Sequence, residues 1–230
     1  MCCGLNAISA AVNRVAAVDY SLAAAATVQS RPTRSAVLGD VDDVANPKNG
    51  SADWQILDRR LVADRSPFVR MFDVEVRLPD GSTVSDFVRV EIRPYAMVFA
   101  LLKDGRVPMV RQYRLAVEGF MLELPAGLIE SDEESLVAAK RELREEAGVE
   151  APNWQFLGKY VMDANKQCGW GYMYLALDAE QVAAPDHGDL GEMTLHLHDL
   201  SDIRRMMAAG ELISGPTALC MGLALNKLGG

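Results

Sequence analysis

Three glutamates near the middle of the chain have the types and spacing of a metal-binding site. Glu142, Glu145 and Glu146 stand three and four residues apart, so a helix would place their carboxylates on one face with Cβ atoms about 5–6 Å apart. Like charges at this distance repel, and the macrodipole at the C-terminal end of a helix favours cations instead. Hard divalent ions such as Mg²⁺ or Mn²⁺ take oxygen ligands of this kind. The pattern therefore favours a divalent metal site, and the alternative is a solvated acidic face balanced by neighbouring basic residues.

The segment around the glutamates has the signals of an amphipathic helix. Ser131, with Glu134 three residues later, can form a capping box, which predicts that the helix begins there. Gly148 is placed to end it. A core-facing stripe recurs at helical spacing at Leu136, Ala139, Leu143 and Ala147. The helix would thus hold the carboxylates on a face separate from the core.

The residues flanking the glutamates complete a longer pattern with fixed gaps. Its specified positions are Gly127, Glu133, Arg141, Glu142, Leu143, Glu145, Glu146, Gly148 and Val149. At every one of these positions the segment resembles the Nudix box. By this resemblance the chain is identified as a member of the Nudix hydrolases.

The resemblance implies a fold and a reaction. The family has an α/β/α sandwich with a mixed sheet, to which this chain would add an N-terminal antiparallel β region. Its members hydrolyse a nucleoside diphosphate linked to another moiety, by metal-assisted substitution at phosphorus with Mg²⁺ or Mn²⁺ as cofactor. The catalytic residues implied by the motif are Glu142, Glu145, Glu146 and Arg141. The implied metal ligands are the same three glutamates and the carbonyl of Ala126, while Glu133 and Arg141 would orient the glutamates.

Sequences on either side of the box resemble the ADP-ribose and ADP-sugar pyrophosphatase branch of the family. They are Arg111-Gln112-Tyr113-Arg114 and Leu122-Glu123-Leu124-Pro125-Ala126-Gly127. The resemblance implies that Arg111, Arg114 and Glu123 bind the substrate, Arg114 through its phosphates, and that the products are AMP and a sugar phosphate. The alternative for Arg114 is a salt bridge at a strand end. Relatives also dimerise through the N-terminal sheet, which implies a homodimer formed around residues 54–93.

One loop departs from that branch. The relatives carry a proline and a catalytic glutamate in the loop after the box, whereas residues 162–171 here read MDANKQCGWG. Asp163 and Glu192 are the candidates that remain for the general base. Trp170 or Tyr172 could stack on a base, and both fit a core equally well. The departure leaves the substrate open, with coenzyme A and dinucleoside polyphosphates as further candidates, while diphosphate hydrolysis is unaffected.

The chain divides by composition into three parts. Residues 1–51 are an Ala-rich extension followed, from Asp40, by a linker rich in turn-forming residues. Residues 1–39 contain arginines but almost no acids, which is typical of a transit peptide or, alternatively, of an Ala-rich helix with a loose tail. Residues 52–95 are predicted to be the N-terminal β region and residues 96–230 the hydrolase domain. The predicted location is cytoplasmic, or organellar if residues 1–39 are a targeting segment.

The alternation of apolar and polar residues predicts antiparallel strands at the beginning of the folded part of the chain and a mixture of strands and helices after them. One hairpin is predicted from residues 74–78 and 84–92 across Asp80-Gly81, and a second from residues 96–102 and 107–114 across Asp104-Gly105. The further predicted strands are residues 122–124, 154–160, 172–177 and 194–198. The further predicted helices are residues 202–209 and 216–228. Together these elements predict a mixed α/β fold.

Composition narrows the partners. The 230 residues carry 23 basic and 32 acidic side chains, a net charge of −9, with no basic cluster, so a nucleic-acid partner and an RNA-decapping function are disfavoured. Charges interrupt the apolar stretch at residues 5–28, which predicts no membrane span. Cys2, Cys3, Cys168 and Cys220 lack paired metal-ligand spacing and are predicted to be free thiols in a reducing compartment. The alternative function is a non-catalytic nucleotide-sugar sensor, although a pure binder need not keep all three carboxylates.

Overall fold

The central sheet of the molecule is mixed. The computed structural model describes residues 54–166, 168–186 and 193–229. Strand β4 (Tyr95–Leu102) runs parallel to β10 (Cys168–Gln181) and antiparallel to β7 (Ala126–Leu128). Strand β10 also pairs, antiparallel, with β8 (Val149–Glu150) and β9 (Asn153–Asp163).

Helices cover both faces of this sheet. The even-numbered residues of β4 point to one core, which they share with α1 (Ser135–Ala147). The odd-numbered residues point to a second core under α2 (Leu200–Ala209) and α3 (Gly215–Gly229). A strand alternates its side chains with a period of two, so a strand buried on both faces is a continuous apolar run. The predicted α/β/α sandwich is confirmed.

An antiparallel sheet of three strands precedes the sandwich. Its order is β1 (Gln55–Arg65), β2 (Val69–Arg77) and β3 (Thr83–Ile92). The predicted hairpin across Asp80-Gly81 is confirmed, with Gly81 at φ 86° in the turn. All eleven residues of β1 are exposed, the apolar ones included. The sequence does not predict β1, because its apolar residues come in runs that lack a two-residue period.

The second predicted hairpin is wrong in its pairing. A turn does join β4 to β5 (Arg106–Arg114), with the Gly105 N–H donating to the Leu102 carbonyl. The two strands nevertheless enter different sheets, because β7 and β10 occupy both edges of β4. Strand β5 pairs instead with β6 (Gly119–Glu123) and β11 (Thr194–Asp199).

Helix α1 starts later than the capping-box pattern predicts. Glu134, not Ser131, is the residue before its first turn. Asp132 has φ 65°, a left-handed conformation that a right-handed helix does not contain. Glu133 lies in this turn, where its carboxylate accepts a backbone N–H at 3.0 Å. The predicted end is confirmed: Gly148 has φ 66°, and its N–H donates to two carbonyls of the last turn.

Several predictions concern residues beyond the described ranges. The extension and linker of residues 1–51 lie there, as do Cys2, Cys3 and Glu192. Within the described ranges Cys168 and Cys220 are free thiols, as predicted. No helix in that part of the chain is long and apolar enough to cross a membrane.

Candidate active site

Glu142 of α1 is buried against β7. Its carboxylate fills the space that a side chain on Gly127 would occupy, because a Cβ built there would stand 2.0 Å from Oε1. Only glycine permits this approach. Glu142 is 9% exposed, and burial raises its pKa, with Arg141 opposing the shift. The glycine and the glutamate of the motif therefore form one contact.

Arg141 places a positive charge among the carboxylates. Its Nη1 donates to Glu142 Oε1 at 2.5 Å and to Glu145 Oε2 at 3.1 Å. Its Nε donates to Glu133 at 3.0 Å, and its Nη2 donates to Glu133 and to the Leu128 carbonyl, each at 3.0 Å. These bonds raise the pKa of Arg141, the one to Glu133 most strongly. The acidic face is thus partly compensated from within the chain, by the arginine to which the resemblance gives the role of orienting the glutamates.

Glu146 faces the first residue of β7. Its Oε2 accepts the N–H of Ala126 at 2.9 Å. Burial raises the pKa of Glu146 to about 7; the Ala126 hydrogen bond opposes the shift, and the charge of Glu142 adds to it. A carboxyl in such surroundings is held ionised by a nearby cation. Ala126 therefore meets the site through its N–H, and the metal-binding role of its carbonyl stays a prediction.

The donors of this face suit a hard divalent ion. Glu142, Glu145 and Glu146 offer only carboxylate oxygens, the ligands that Mg²⁺ and Mn²⁺ prefer. Within residues 54–166, 168–186 and 193–229, no three His, Cys, Asp or Glu side chains are grouped so as to hold a metal ion. The three glutamates of α1 are not grouped because their carboxylates point to different partners. Those of Glu142 and Glu145 accept hydrogen bonds from Arg141, and that of Glu146 accepts one from Ala126. Shared ligation of one ion would require these side chains to rotate on a helix that already places them on one side.

A cleft of about 550 Å³ opens beside β7. Ala126 and Gly127 form part of its wall, and Leu128 continues it. The carboxylates of Glu142 and Glu146 contact the first two of these residues. The volume lies within the range of small-molecule sites. The carboxylate face of α1 therefore adjoins the cleft.

Arg114 and Glu123 bring charge into the cleft. Both line it, and Arg114 Nε donates to Glu123 Oε2 at 2.6 Å. The Arg114 side chain is 45% exposed and that of Glu123 is 11% exposed. Arg114 therefore takes part in the strand-end salt bridge that was the alternative to phosphate binding, and it still faces the cleft.

Arg111 lies on the opposite face of β5. Its guanidinium stacks over the Phe120 ring, with Cζ 3.7 Å from the ring centroid. Side chains alternate along a strand, so Arg111 and Arg114, three residues apart, point to opposite sides. Among the described residues, those that line the cleft do not include Arg111. This placement does not support its predicted contact with the substrate.

Residues outside the motifs form the rest of the cleft. Phe68, between β1 and β2, is 72% exposed and lines the cleft. Ile92 of β3, Tyr95 of β4 and Met162 of β9 line it as well. No local pattern marks these residues, because tertiary structure alone brings them together. The one available signal is an aromatic residue, Phe68, directly after Ser66-Pro67, since proline is common in turns.

The candidates in the atypical loop are scattered. Asp163 accepts the backbone N–H of Lys166 at 3.0 Å, and this bond lowers the pKa of its carboxyl. The Lys159 ammonium lies 4.8 Å from the Trp170 ring centroid and 5.2 Å from that of Tyr172. Neither ring is among the described residues that line the cleft. Tyr172 packs against the core beneath α1, which is the alternative that the sequence left open.

Comparisons relate the chain to known proteins. A family model described as the NUDIX domain matches residues 91–213. The chain is 33% identical over 146 residues to an ADP-ribose pyrophosphatase of Mycobacterium tuberculosis, covering 61% of this chain and 68% of that protein. It is 30% identical over 179 residues to the CMP-5'-(N-acetyl-N-hydroxy-3-aminopropyl)phosphonate hydrolase of Streptomyces rubellomurinus, covering 77% and 84%. Its fold is similar to that of a solved ADP compounds hydrolase, with a TM-score of 0.65 at 21% identity, covering 78% of this chain and 96% of that chain.

Proposed function

Because this chain belongs to the Nudix hydrolase family, we propose that it hydrolyses the diphosphate of an ADP-sugar, with ADP-ribose the leading candidate, to AMP and a sugar phosphate. The similarity to the pyrophosphatase of Mycobacterium tuberculosis supports this substrate class. The observation that carries the proposal is that one cleft adjoins the carboxylate face of α1 and also holds Arg114. A diphosphate in this cleft would meet both a guanidinium and metal-binding carboxylates.

Nudix hydrolases use divalent metal ions, and we propose Mg²⁺ or Mn²⁺ for this chain because its donors are oxygens. Such an ion, when bound, neutralises the diphosphate and lowers the pKa of a water molecule. Glu142, Glu145 and Glu146 would hold it, together with the Ala126 carbonyl. Arg141 orients the first two carboxylates through the hydrogen bonds of its Nη1.

Two side chains of the cleft are assigned to the substrate. Arg114 binds the phosphates, for which its planar guanidinium is well shaped. Phe68 stacks on the adenine, because its ring is both exposed and part of the cleft. Ile92 and Met162 supply an apolar wall for the same base.

Asp163 is the proposed general base within the described residues. It follows Met162, which lines the cleft. The hydrogen bond from Lys166 lowers the pKa of its carboxyl, which makes it a weaker base than a group whose pKa lies near the working pH. Glu192, outside the described ranges, is the other candidate. Separate Asp163→Asn and Glu192→Gln variants would distinguish them, since only the true base should show a large loss of kcat.

Product analysis tests the proposed reaction. ADP-ribose, other nucleoside diphosphate sugars, free ADP and dinucleoside polyphosphates are incubated with Mg²⁺, and the products are separated by anion-exchange chromatography. We expect AMP and ribose 5-phosphate in equal amounts from ADP-ribose, and a loss of about a thousandfold in kcat for Glu146→Gln. The matched control is Glu150→Gln, because Glu150 is an exposed carboxylate that pairs with Arg144. A wild type that binds ADP-ribose but hydrolyses no more of it than Glu146→Gln would favour the sensor instead.

We also propose a homodimer joined through the N-terminal sheet, with residues 52–95 as its β region and residues 96–230 as the hydrolase domain. Ile56, Leu57, Leu61 and Val62 of β1 are 40–49% exposed. Exposed apolar side chains on an edge strand favour contact with another chain. The proposed location is the cytoplasm, or an organelle if residues 1–39 are a targeting segment.

A further inference from the structure

The ion pair between Glu123 and Arg114 is unusual for a phosphate site. Glu123 is 8% exposed, yet it lines the cleft in which the diphosphate is proposed to lie. A poorly solvated carboxylate repels a polyanion unless a cation stands between them. On the basis of the proposed function, we propose that Glu123, supported by Gln112, is a positioning residue that holds Arg114 by Nε and directs the rest of the guanidinium to the phosphates.

The register of β5 and β6 explains how the three side chains meet. Glu123 of β6 pairs with Val110, and Arg114 of β5 pairs with Gly119. Gln112 and Arg114 share a face of β5 with Val110, because they follow it at steps of two residues. The Arg114 side chain turns back along the strands to reach Glu123.

Glu123 engages only one nitrogen of Arg114. The Nε of Arg114 and the Nε2 of Gln112 both donate to Glu123 Oε2, at 2.6 and 3.3 Å. Neither Nη atom of Arg114 donates a hydrogen bond to another described residue. Guanidinium binds phosphate through two nitrogens at once. Arg114 is thus held by one nitrogen and retains two for a phosphate.

The two charges act with opposite sign on the rest of the site. Arg114 and Glu123 carry opposite charges, form an ion pair and both line the cleft. While Arg114 is present, its charge screens Glu123 from the cleft. Without Arg114, the Glu123 carboxylate would face the diphosphate without its ion-pair partner, and Arg93 would be the arginine that still lines the cleft. Removal of the Glu123 charge should therefore harm a site that contains Arg114 and help a site that lacks it.

This reversal of sign is the test. The proteins compared are the wild type, Glu123→Gln, Arg114→Ala and the double variant. For each we would measure kcat/KM for ADP-ribose and the Kd of α,β-methylene ADP-ribose, an analogue whose methylene bridge resists hydrolysis. With Arg114 present, Glu123→Gln is expected to lower kcat/KM about tenfold and to raise the Kd of the analogue about tenfold. This factor corresponds to the loss of one charge-assisted hydrogen bond. In the Arg114→Ala background the same substitution is expected to raise kcat/KM about threefold and to lower the Kd of the analogue about threefold.

Two further sets of variants sharpen the test. Gln112→Leu removes support from Glu123 but keeps both charges, so a loss of about threefold, mainly in KM, is expected. The exposed pair of Arg205 and Glu211 is the matched control. The corresponding single and double substitutions of Arg205 and Glu211 should leave kcat/KM unchanged, because exposed ion pairs contribute little to stability.

The outcomes are separable. A loss from Glu123→Gln in both backgrounds would overturn the proposal, and the Tm of each variant would then show whether Glu123 contacts the substrate or supports the fold. Sign reversal in analogue binding without hydrolysis of any sugar nucleotide would end the proposed function and leave the positioning role intact. A wild type that fails to bind the analogue would end both.

Discussion

Gly127→Ala tests whether the contact between this glycine and Glu142 positions a metal-binding carboxylate. The added Cβ would stand 2.0 Å from Glu142 Oε1, and an ordinary contact begins at 3.4 Å. The carboxylate must therefore retreat by about 1.4 Å, the difference between these two distances. Gly127 is not among the residues with positive φ, so an alanine strains the side-chain contact and not the backbone.

The size of the effect follows from this displacement. A shift of about 1 Å in a catalytic arrangement lowers the rate about a hundredfold, so kcat at saturating Mg²⁺ should fall by about that factor. The KM should change less, because Arg114 and Phe68 lie outside the displaced contact. Glu142 would also lose its bond to Arg141, which is expected to lower the free energy of unfolding by about 1.5–3 kcal/mol.

Steady-state hydrolysis of ADP-ribose with titrated Mg²⁺ is the assay, and thermal unfolding reports on the fold. Gly222→Ala is the matched control, because Gly222 is exposed within α3 and the nearest atom to its added Cβ, Met207 Cε, is 3.9 Å away. It should leave kcat unchanged and stabilise the protein by about 1 kcal/mol, since alanine is the better helix former. A folded Gly127→Ala enzyme with half or more of the wild-type kcat would refute the reasoning.

Three further outcomes concern other parts of the molecule. Phe68→Ala should raise the KM for ADP-ribose about tenfold with little change in kcat, as expected for one lost base stack; an unchanged KM would remove Phe68 from the base site. Leu61→Lys in β1 should convert the dimer to a monomer in analytical ultracentrifugation, and a monomeric wild type would contradict the dimer. Burial, and then the charge of His196, lower the pKa of His198, so the fold favours its neutral form. Its contribution to stability should be complete above the ordinary pKa of 6.5 and decline as the pH falls below that value. The drop in Tm from neutral to acidic pH should therefore be smaller in His198→Gln, and equal drops would argue against this assignment.

Local periodicity explains which features the sequence predicts well. The 3.6-residue repeat of α1 separates a core stripe from a polar face, and Leu143 and Ala147 are indeed buried while Glu145 is exposed. The two-residue repeat of the strands likewise locates β2 and β3 and the turn between them. Both signals come from neighbours in sequence and need no knowledge of the rest of the fold.

The wrong predictions depended on distant partners. A tight turn at Gly105 favours a hairpin, but competition from β7 and β10 for the edges of β4 cannot be seen locally. The capping box at Ser131 fails because Glu133 pairs with Arg141, eight residues further on, instead of entering the helix. The placement of Arg111 is a different case: the two-residue period of β5 separates it from Arg114, so the sequence already places the two side chains on opposite faces. The contact of Arg111 with the substrate stays a prediction.

Arg141 also decides how the protein should respond to loss of metal. Only its Nη1 bonds to Glu142 and Glu145, whereas Nε and Nη2 are held by Glu133 and the Leu128 carbonyl. A metal ion that binds Glu142 and Glu145 would therefore replace only the Nη1 of Arg141 as their partner, while the rest of the Arg141 side chain stays in place. Without the metal ion, the two carboxylates still contact the positively charged guanidinium of Arg141. We therefore expect that folding does not depend on the metal. Removing Mg²⁺ held at ten times its Kd should then cost only the mass-action term, about 1.4 kcal/mol, or about 3–6 °C in Tm for a chain of this size. A chain that is not folded after chelation would show that Arg141 does not compensate this face.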